Sequence, residues 1–296
     1  MSAVEHFSSV AQLWAILFAV LTALSNALAL TTQHLASGRS REKLRGWRLW
    51  WFLMHQPLWF VGWLALFGSL VFQSFALHFG PLSLVQPILV TELILGLVLR
   101  QTWLHQRVQR AAWTGALATF AGLAIFLLVA SPKVGLATPS ASRSLVAIVV
   151  ISVVTLALVA SARHASPTRR AGAFATVTGL LWAFEAMFIK ATTDTLTSGG
   201  IEGALRHWPL YAFIVGGIAG LLSEQAALHA GPLRVSQPLI VIVDPLASVA
   251  LGLWLFDEHL RTGPLAASFA SLGLVIMSWG VMALTRHAPD SMAPRL

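Results

Sequence analysis

The chain contains no cysteine, which removes disulfides, thiolate metal sites and thiol redox chemistry together. Charge is scarce as well: 10% of the 296 residues are charged and 57% are apolar, whereas a soluble domain averages roughly a quarter charged. No Lys or Arg precedes the first apolar run, only Glu5 and His6. That run therefore lacks the basic segment of a secretory leader and is expected to remain as the first membrane span. There is also no His-Glu-x-x-His pattern, phosphate loop, nucleophile motif or polar stretch long enough for an aqueous domain. The expectation is a protein that is not an enzyme, with no cofactor and no dedicated metal site.

What is present is apolar sequence in runs of about 20 residues, the length that crosses a bilayer as a helix. The mean hydropathy is +0.77. The formal charge of +8 and pI of 11.4 would suggest nucleic acid in a soluble protein, but here the basic residues fall in short gaps between the apolar runs. They report orientation, and no nucleic-acid partner is expected. Nine spans are predicted, at roughly 11–35, 50–79, 82–102, 111–131, 144–162, 172–195, 208–230, 233–255 and 263–285. The second run contains Pro57 and is too short for two spans. It reads as one tilted helix with an interfacial start at Trp47, Trp50 and Trp51.

Loop charge tests the count. Alternate gaps between nine spans fall on one side of the membrane, and that side carries fourteen Lys and Arg residues, from the Arg39–Arg48 cluster to Arg286 and Arg295. The other carries four: Lys133, Arg143, Arg206 and Arg261. The positive-inside rule then predicts a multi-pass protein of the inner or plasma membrane, with its N-terminus outside and its C-terminus cytoplasmic.

An internal repeat organises these spans. Ala76–Pro87 reads ALHFGPLSLVQP, and 151 residues later Ala227–Pro238 reads ALHAGPLRVSQP, identical at eight of twelve positions. Spans one to four form a first copy (1–135), and spans six to nine form a second (172–296). An uncharged fifth span with its following loop (136–171) lies between. Four spans plus one invert the second copy relative to the first. The expected fold is therefore an all-α integral membrane protein of nine helices, in two inverted four-helix repeats joined by one connecting helix. Secondary transporters exploit such a pseudo-two-fold axis in the membrane plane.

The AL-x-x-GPL turn, the proline in the following helix and the Leu-Phe-Asp-Glu-His-Leu segment (255–260) before a Gly-rich apolar span resemble the drug/metabolite transporter superfamily. The nine-span count and the GPL-x-x-x-QP wording are similar to its NIPA-like and EamA-like branches. The resemblance covers most of the chain and implies transport, with magnesium as cargo in the NIPA-like case. Two features depart from the family pattern: the first copy has His105-Gln106-Arg107 where the second has Asp257-Glu258, and the first span lacks the carboxylate that small multidrug members use.

Ionisable groups at mid-depth cost several kcal/mol and point to function. Glu92 lies about halfway along span three and Asp244 about halfway along span eight, at nearly matching places in the two copies. Pro87 and Pro238 precede them, each removing a backbone donor and freeing a carbonyl one turn earlier, and Pro245 is expected to break the second helix again beside Asp244. The amides of Gln86 and Gln237 could then help hold a polar substrate. Span six adds Glu185, Lys190 and Asp194. Lys190 and Asp194 are four residues apart and are expected to pair, while Glu185 has no local partner. Glu224 in span seven stands where the first copy has Gln73. Asn26, with Thr31 and Thr32, could line a path through span one or hold helices together.

Glu92, Glu185, Glu224 and Asp244 outnumber Lys190 by three, which favours a cationic or zwitterionic cargo, or protons, over a simple anion. His78 and His229 read as capping or interfacial residues. The Gly216-x-x-x-Gly220 pair fits close helix packing and suggests a homodimer. Two functions stay open: an alternating-access secondary transporter of a small metabolite or cation with proton coupling, and a magnesium pathway of the NIPA-like type. The partners expected are the lipid bilayer and a small-molecule or ion substrate.

Overall fold

The apolar runs become helices. The computed structural model describes residues 3–38, 56–105, 108–136, 139–261 and 263–287. Its helices are α1 (Ala3–Gly38), α2 (Pro57–Phe79), α3 (Leu82–Leu89), α4 (Thr91–Thr102), α5 (Arg110–Ala130), α6 (Ala141–Ala162), α7 (Pro167–Arg206), α8 (Trp208–Ala230), α9 (Leu233–Leu255) and α10 (Pro264–His287). Taking α3 and α4 as one interrupted span, nine helices among the described residues are long and apolar enough to cross a membrane. At 1.5 Å per residue, the 22 residues of α6 extend about 33 Å, close to the hydrocarbon thickness of a bilayer.

Helix starts follow from local chemistry. Pro57 opens α2 and Pro167 opens α7, where a missing N–H costs nothing because the first-turn amides have no helical acceptor. Span two thus begins at proline instead of running through it. The proposed start at Trp47, Trp50 and Trp51 lies outside the described residues. Helix α7 is longer than expected: hydrogen bonding carries it past residue 195 to Arg206, across a non-helical Gly200. Ser198 and Thr197 return their hydroxyls to the Asp194 carbonyl, and Glu202 pairs with Arg206 at 2.6 Å, which supports this extension.

The prolines act differently in the two copies. After Pro87 the helix tightens into three-residue hydrogen bonds, Val90 N–H to Pro87 O at 3.3 Å and Leu93 N–H to Val90 O at 3.2 Å, and α4 starts afresh. In contrast, α9 runs unbroken through both Pro238 and Pro245, so the expected breaks there do not occur. Each proline removes one intrahelical bond, and the neighbouring bonds of a long helix carry the chain across the gap.

The two halves of the chain show like pairings: α1 packs on α2 and on α3–α4, just as α7 packs on α8 and α9. Helices α5 and α10 pack against each other, and α3 crosses to α9. Glycines set the α5–α10 seam. A Cβ on Gly122 would lie 2.3 Å from Met277 N and 2.5 Å from Gly273 O, and one on Gly273 would lie 2.7 Å from Phe126 N and 2.8 Å from Gly122 O. Gly115 faces Gly280 and Leu284 in the same manner. Since contacts descend along α10 as they ascend along α5, the two helices are antiparallel. Their reciprocal partners, Gly122 with Gly273 and Phe126 with Met277, are separated by the same 151 residues as the two GPL turns.

Leu145, Val149, Val153 and Leu156 of α6 are exposed, as expected for side chains that face lipid. The main interior cluster joins Ala15 and Ala19 of α1, Leu77 of α2, Leu82 and Val85 of α3, Met187 and Phe188 of α7, and Leu255 and Phe256 at the end of α9.

Candidate functional site

Four carboxylates on four helices lie inside the bundle and are linked pairwise by electrostatic interaction: Glu92 of α4, Glu185 of α7, Glu224 of α8 and Asp244 of α9. Glu92 interacts electrostatically with Glu224 and Asp244, and Asp244 with Glu185. All four are partly accessible.

The break at Val90 places Glu92 in the first turn of α4. There the unpaired amides and the positive end of the helix dipole favour a negative group in the middle of the span. Asn26 Nδ2 donates to Glu92 Oε2 at 2.9 Å, and Ser69 Oγ donates to Asn26 Oδ1 at 2.5 Å. This chain ties α2, α1 and α4 together, giving Asn26 a positioning role. Thr31 and Thr32 do not join it, because their hydroxyls return to carbonyls of their own helix.

Asp244 is held within α9 by Ser248 Oγ, which donates to Oδ1 at 3.2 Å. Gly179 of α7 lets α9 come close here: a Cβ would lie 2.7 Å from Val243 Cβ and 3.1 Å from Asp244 N. Gly217 leaves space for Glu185, whose Oε1 would lie 2.9 Å from a Cβ at that glycine. The Trp182 side chain exerts an electrostatic influence on Glu224, and its ring lies against Gly220. That face of Gly220 is therefore used within the chain, whereas Gly216 meets nothing within 4 Å.

Of the amides singled out by sequence, Gln86 is buried with Nε2 unpartnered, while Gln73 and Gln237 are half-buried. Pro87 and Pro238 are buried on α3 and α9, and Pro245 directly follows Asp244.

Lys190 departs most from expectation. It does not pair with Asp194. The buried ammonium instead donates to Leu77 O at 2.9 Å and Gly80 O at 3.1 Å, and lies 5.4 Å from the centre of the Phe256 ring. Asp194 faces His78 Nδ1 at 3.5 Å, so His78 contacts an acid instead of capping its own helix. The carbonyls at the end of α2 outcompete a carboxylate one turn along, because they receive the ammonium in a buried position and no intrahelical donor remains for them.

No Lys, Arg or His among the described residues forms an ion pair with any of the four central acids. Nor do any three His, Asp or Glu among them converge as a metal-ligand set. The arrangement is a set of carboxylates spread over four helices, suited to attracting a cation and to exchanging protons.

Three contributors escaped the sequence reading. Glu258 stands out only as half of an acidic pair after an apolar helix, yet it is buried against the first GPL turn. Trp182 resembled any other apolar residue of its span. Gly179 carried no local signal, since its importance comes from the approach of a distant helix.

Compared with known proteins, the chain is 27% identical over 276 residues to an uncharacterised protein of Corynebacterium glutamicum, covering 93% of this chain and 95% of that one. No family model and no solved structure matches the chain.

Proposed function

We propose that this protein is a secondary transporter that moves a small cation or cationic metabolite across the membrane by alternating access, with protons as the coupling ion. The observation that carries this reading is the set of four partly accessible carboxylates inside the bundle with no ion-paired cation among the described residues. Burying such groups costs several kcal/mol, which a cargo or coupling ion repays on binding.

The helix arrangement supports the same reading. Antiparallel packing of α5 on α10, with reciprocal contacts at the 151-residue offset, is what inverted four-helix copies around a connecting α6 would produce. The resemblance to the drug/metabolite transporter superfamily agrees with it. Loop charge favours an external N-terminus and a cytoplasmic C-terminus in the inner or plasma membrane. A NIPA-like magnesium pathway draws less support, because magnesium takes several oxygen ligands in near-octahedral geometry and no three described acids converge.

The test is transport by reconstituted vesicles carrying Glu92→Gln or Asp244→Asn. Each variant is expected to insert normally and to lose substrate-driven proton movement. Unchanged flux in both would sink the proposed site, and non-saturable magnesium flux would favour the magnesium pathway.

A further inference from the structure

The ends of several helices meet at one face of the bundle. Gln12 Nε2 of α1 donates to Pro132 O beyond α5, and the chain around Lys133 pairs with His259 beyond α9. Arg143 of α6 meets Asp257 at 2.6 Å. At the centre of this face lies the first GPL turn, gripped from both sides. Lys190 holds the last carbonyls of α2, Leu77 O and Gly80 O. Glu258 takes the first amides of α3, from Leu82 N at 2.5 Å and Ser83 N at 2.9 Å, and the Ser83 hydroxyl at 2.6 Å. Both side chains are 3% exposed, and they interact electrostatically with each other. Gly252 makes the room: a Cβ there would lie 2.3 Å from Glu258 Oε2.

Among the described residues, no side-chain hydrogen bond or ion pair holds the second GPL turn, at the far end of α9, in this way. Spans one and six share Thr-Thr-x-x-Leu-x-Ser-Gly at Thr31–Gly38 and Thr192–Gly199, which sets Ala29 opposite Lys190. That counterpart carries no charge. Burial follows the same asymmetry. Residues 82–88 of α3 are all buried, whereas Arg234 is exposed and Val235, Gln237, Leu239 and Ile240 of α9 are partly accessible.

We propose that Lys190 and Glu258 form a one-sided lock that clamps the first GPL turn and holds that mouth of the carrier shut, leaving the opposite mouth accessible. The inference rests on the alternating-access reading, and it assigns the two mouths different closing forces. Releasing the turn strips an ammonium of two carbonyls and a carboxylate of three donors, so the closed first mouth is the resting state. Opening requires those groups to find other partners or water.

The absence of cysteine makes the test direct. Single reporters Gln86→Cys behind the first turn and Gln237→Cys at the corresponding place behind the second are labelled with a hydrophilic maleimide in the full-length, detergent-solubilised protein. In the otherwise unaltered chain Gln237→Cys should react fast and Gln86→Cys slowly. Adding Glu258→Gln or Lys190→Met should raise the Gln86→Cys rate about tenfold or more, since hydrogen bonds to charged groups each shift an equilibrium by roughly a decade. The Gln237→Cys rate should fall as the second mouth closes, and Lys190→Arg should keep Gln86→Cys slow. A Gln86→Cys rate that stays slow in both variants overturns the lock, and so does an equal rise at both reporters, which marks general loosening. Because labelling needs no substrate, a failed lock and a failed transport assignment are told apart by these rates and by vesicle flux.

Discussion

Replacing Gly122 by alanine tests the geometry of the seam between α5 and α10. The added methyl would lie 2.3 Å from Met277 N and 2.5 Å from Gly273 O. Both are backbone atoms that no side-chain rotation can move, so restoring ordinary contact requires α5 and α10 to separate locally by about 1 Å. Gaps of 0.5–1 Å forfeit a quarter to a half of each dispersion well they open, and overpacking of this kind costs about 1–3 kcal/mol. Alanine recovers about 0.5–1 kcal/mol through its better helix propensity, leaving a net loss of roughly 0–2.5 kcal/mol by this arithmetic. Gly96→Ala provides the control, because nothing lies within 4 Å of its Cβ position; it should be neutral or slightly stabilising. Gly273→Ala strains the same seam from the other side, so Gly122→Ala with Gly273→Ala should cost less than the sum of the single changes. The measurement is a denaturant or thermal unfolding midpoint in detergent for the four variants. If Gly122→Ala and Gly96→Ala behave alike, or if the double change is strictly additive, the reciprocal contact is wrong.

Other outcomes can be checked in the same preparations. Asn26→Ala removes the donor to Glu92 and the acceptor of Ser69; the expected loss in flux is on the order of tenfold, the worth of one hydrogen bond to a charged group, with Ser69→Ala milder. Trp182→Phe keeps an aromatic ring against Gly220 but removes the polar indole N–H whose influence reaches Glu224, so transport should fall while the unfolding midpoint moves little. Gly252→Ala expels the Glu258 carboxylate and should reproduce the labelling pattern of Glu258→Gln without touching either charge. By contrast Arg143→Ala breaks a pair whose side chains are about 40% exposed and should cost less than about 1 kcal/mol in unfolding free energy.

Much of the architecture is legible along the chain because a bilayer admits few solutions. Runs of about 20 apolar residues must become helices, and duplicated GPL junctions mark where one helix turns into the next. The location of the acids was legible for the same reason: a carboxylate at mid-span is too costly to be incidental. Asn26 was legible as a polar residue of span one, but its bonds to Glu92 and Ser69 were not. The helix breaks were half legible. Pro87 and Pro238 look alike in sequence, yet only the first is followed by a break, which depends on how neighbouring helices support the freed backbone.

From sequence alone come the helical class, the span positions, the repeat and the mid-span placement of Glu92 and Asp244, all set by hydropathy over a window of residues and by local spacing. Tertiary structure decided which groups meet. Lys190 and Asp194 are neighbours along α7, and a local rule pairs them. In the fold the ammonium reaches carbonyls 113 and 110 residues away, and Glu258 reaches amides 176 and 175 residues away. The energy of a buried charge is set by the donors and acceptors within about 3 Å of it, and for these residues the chain path brings those partners from distant helices.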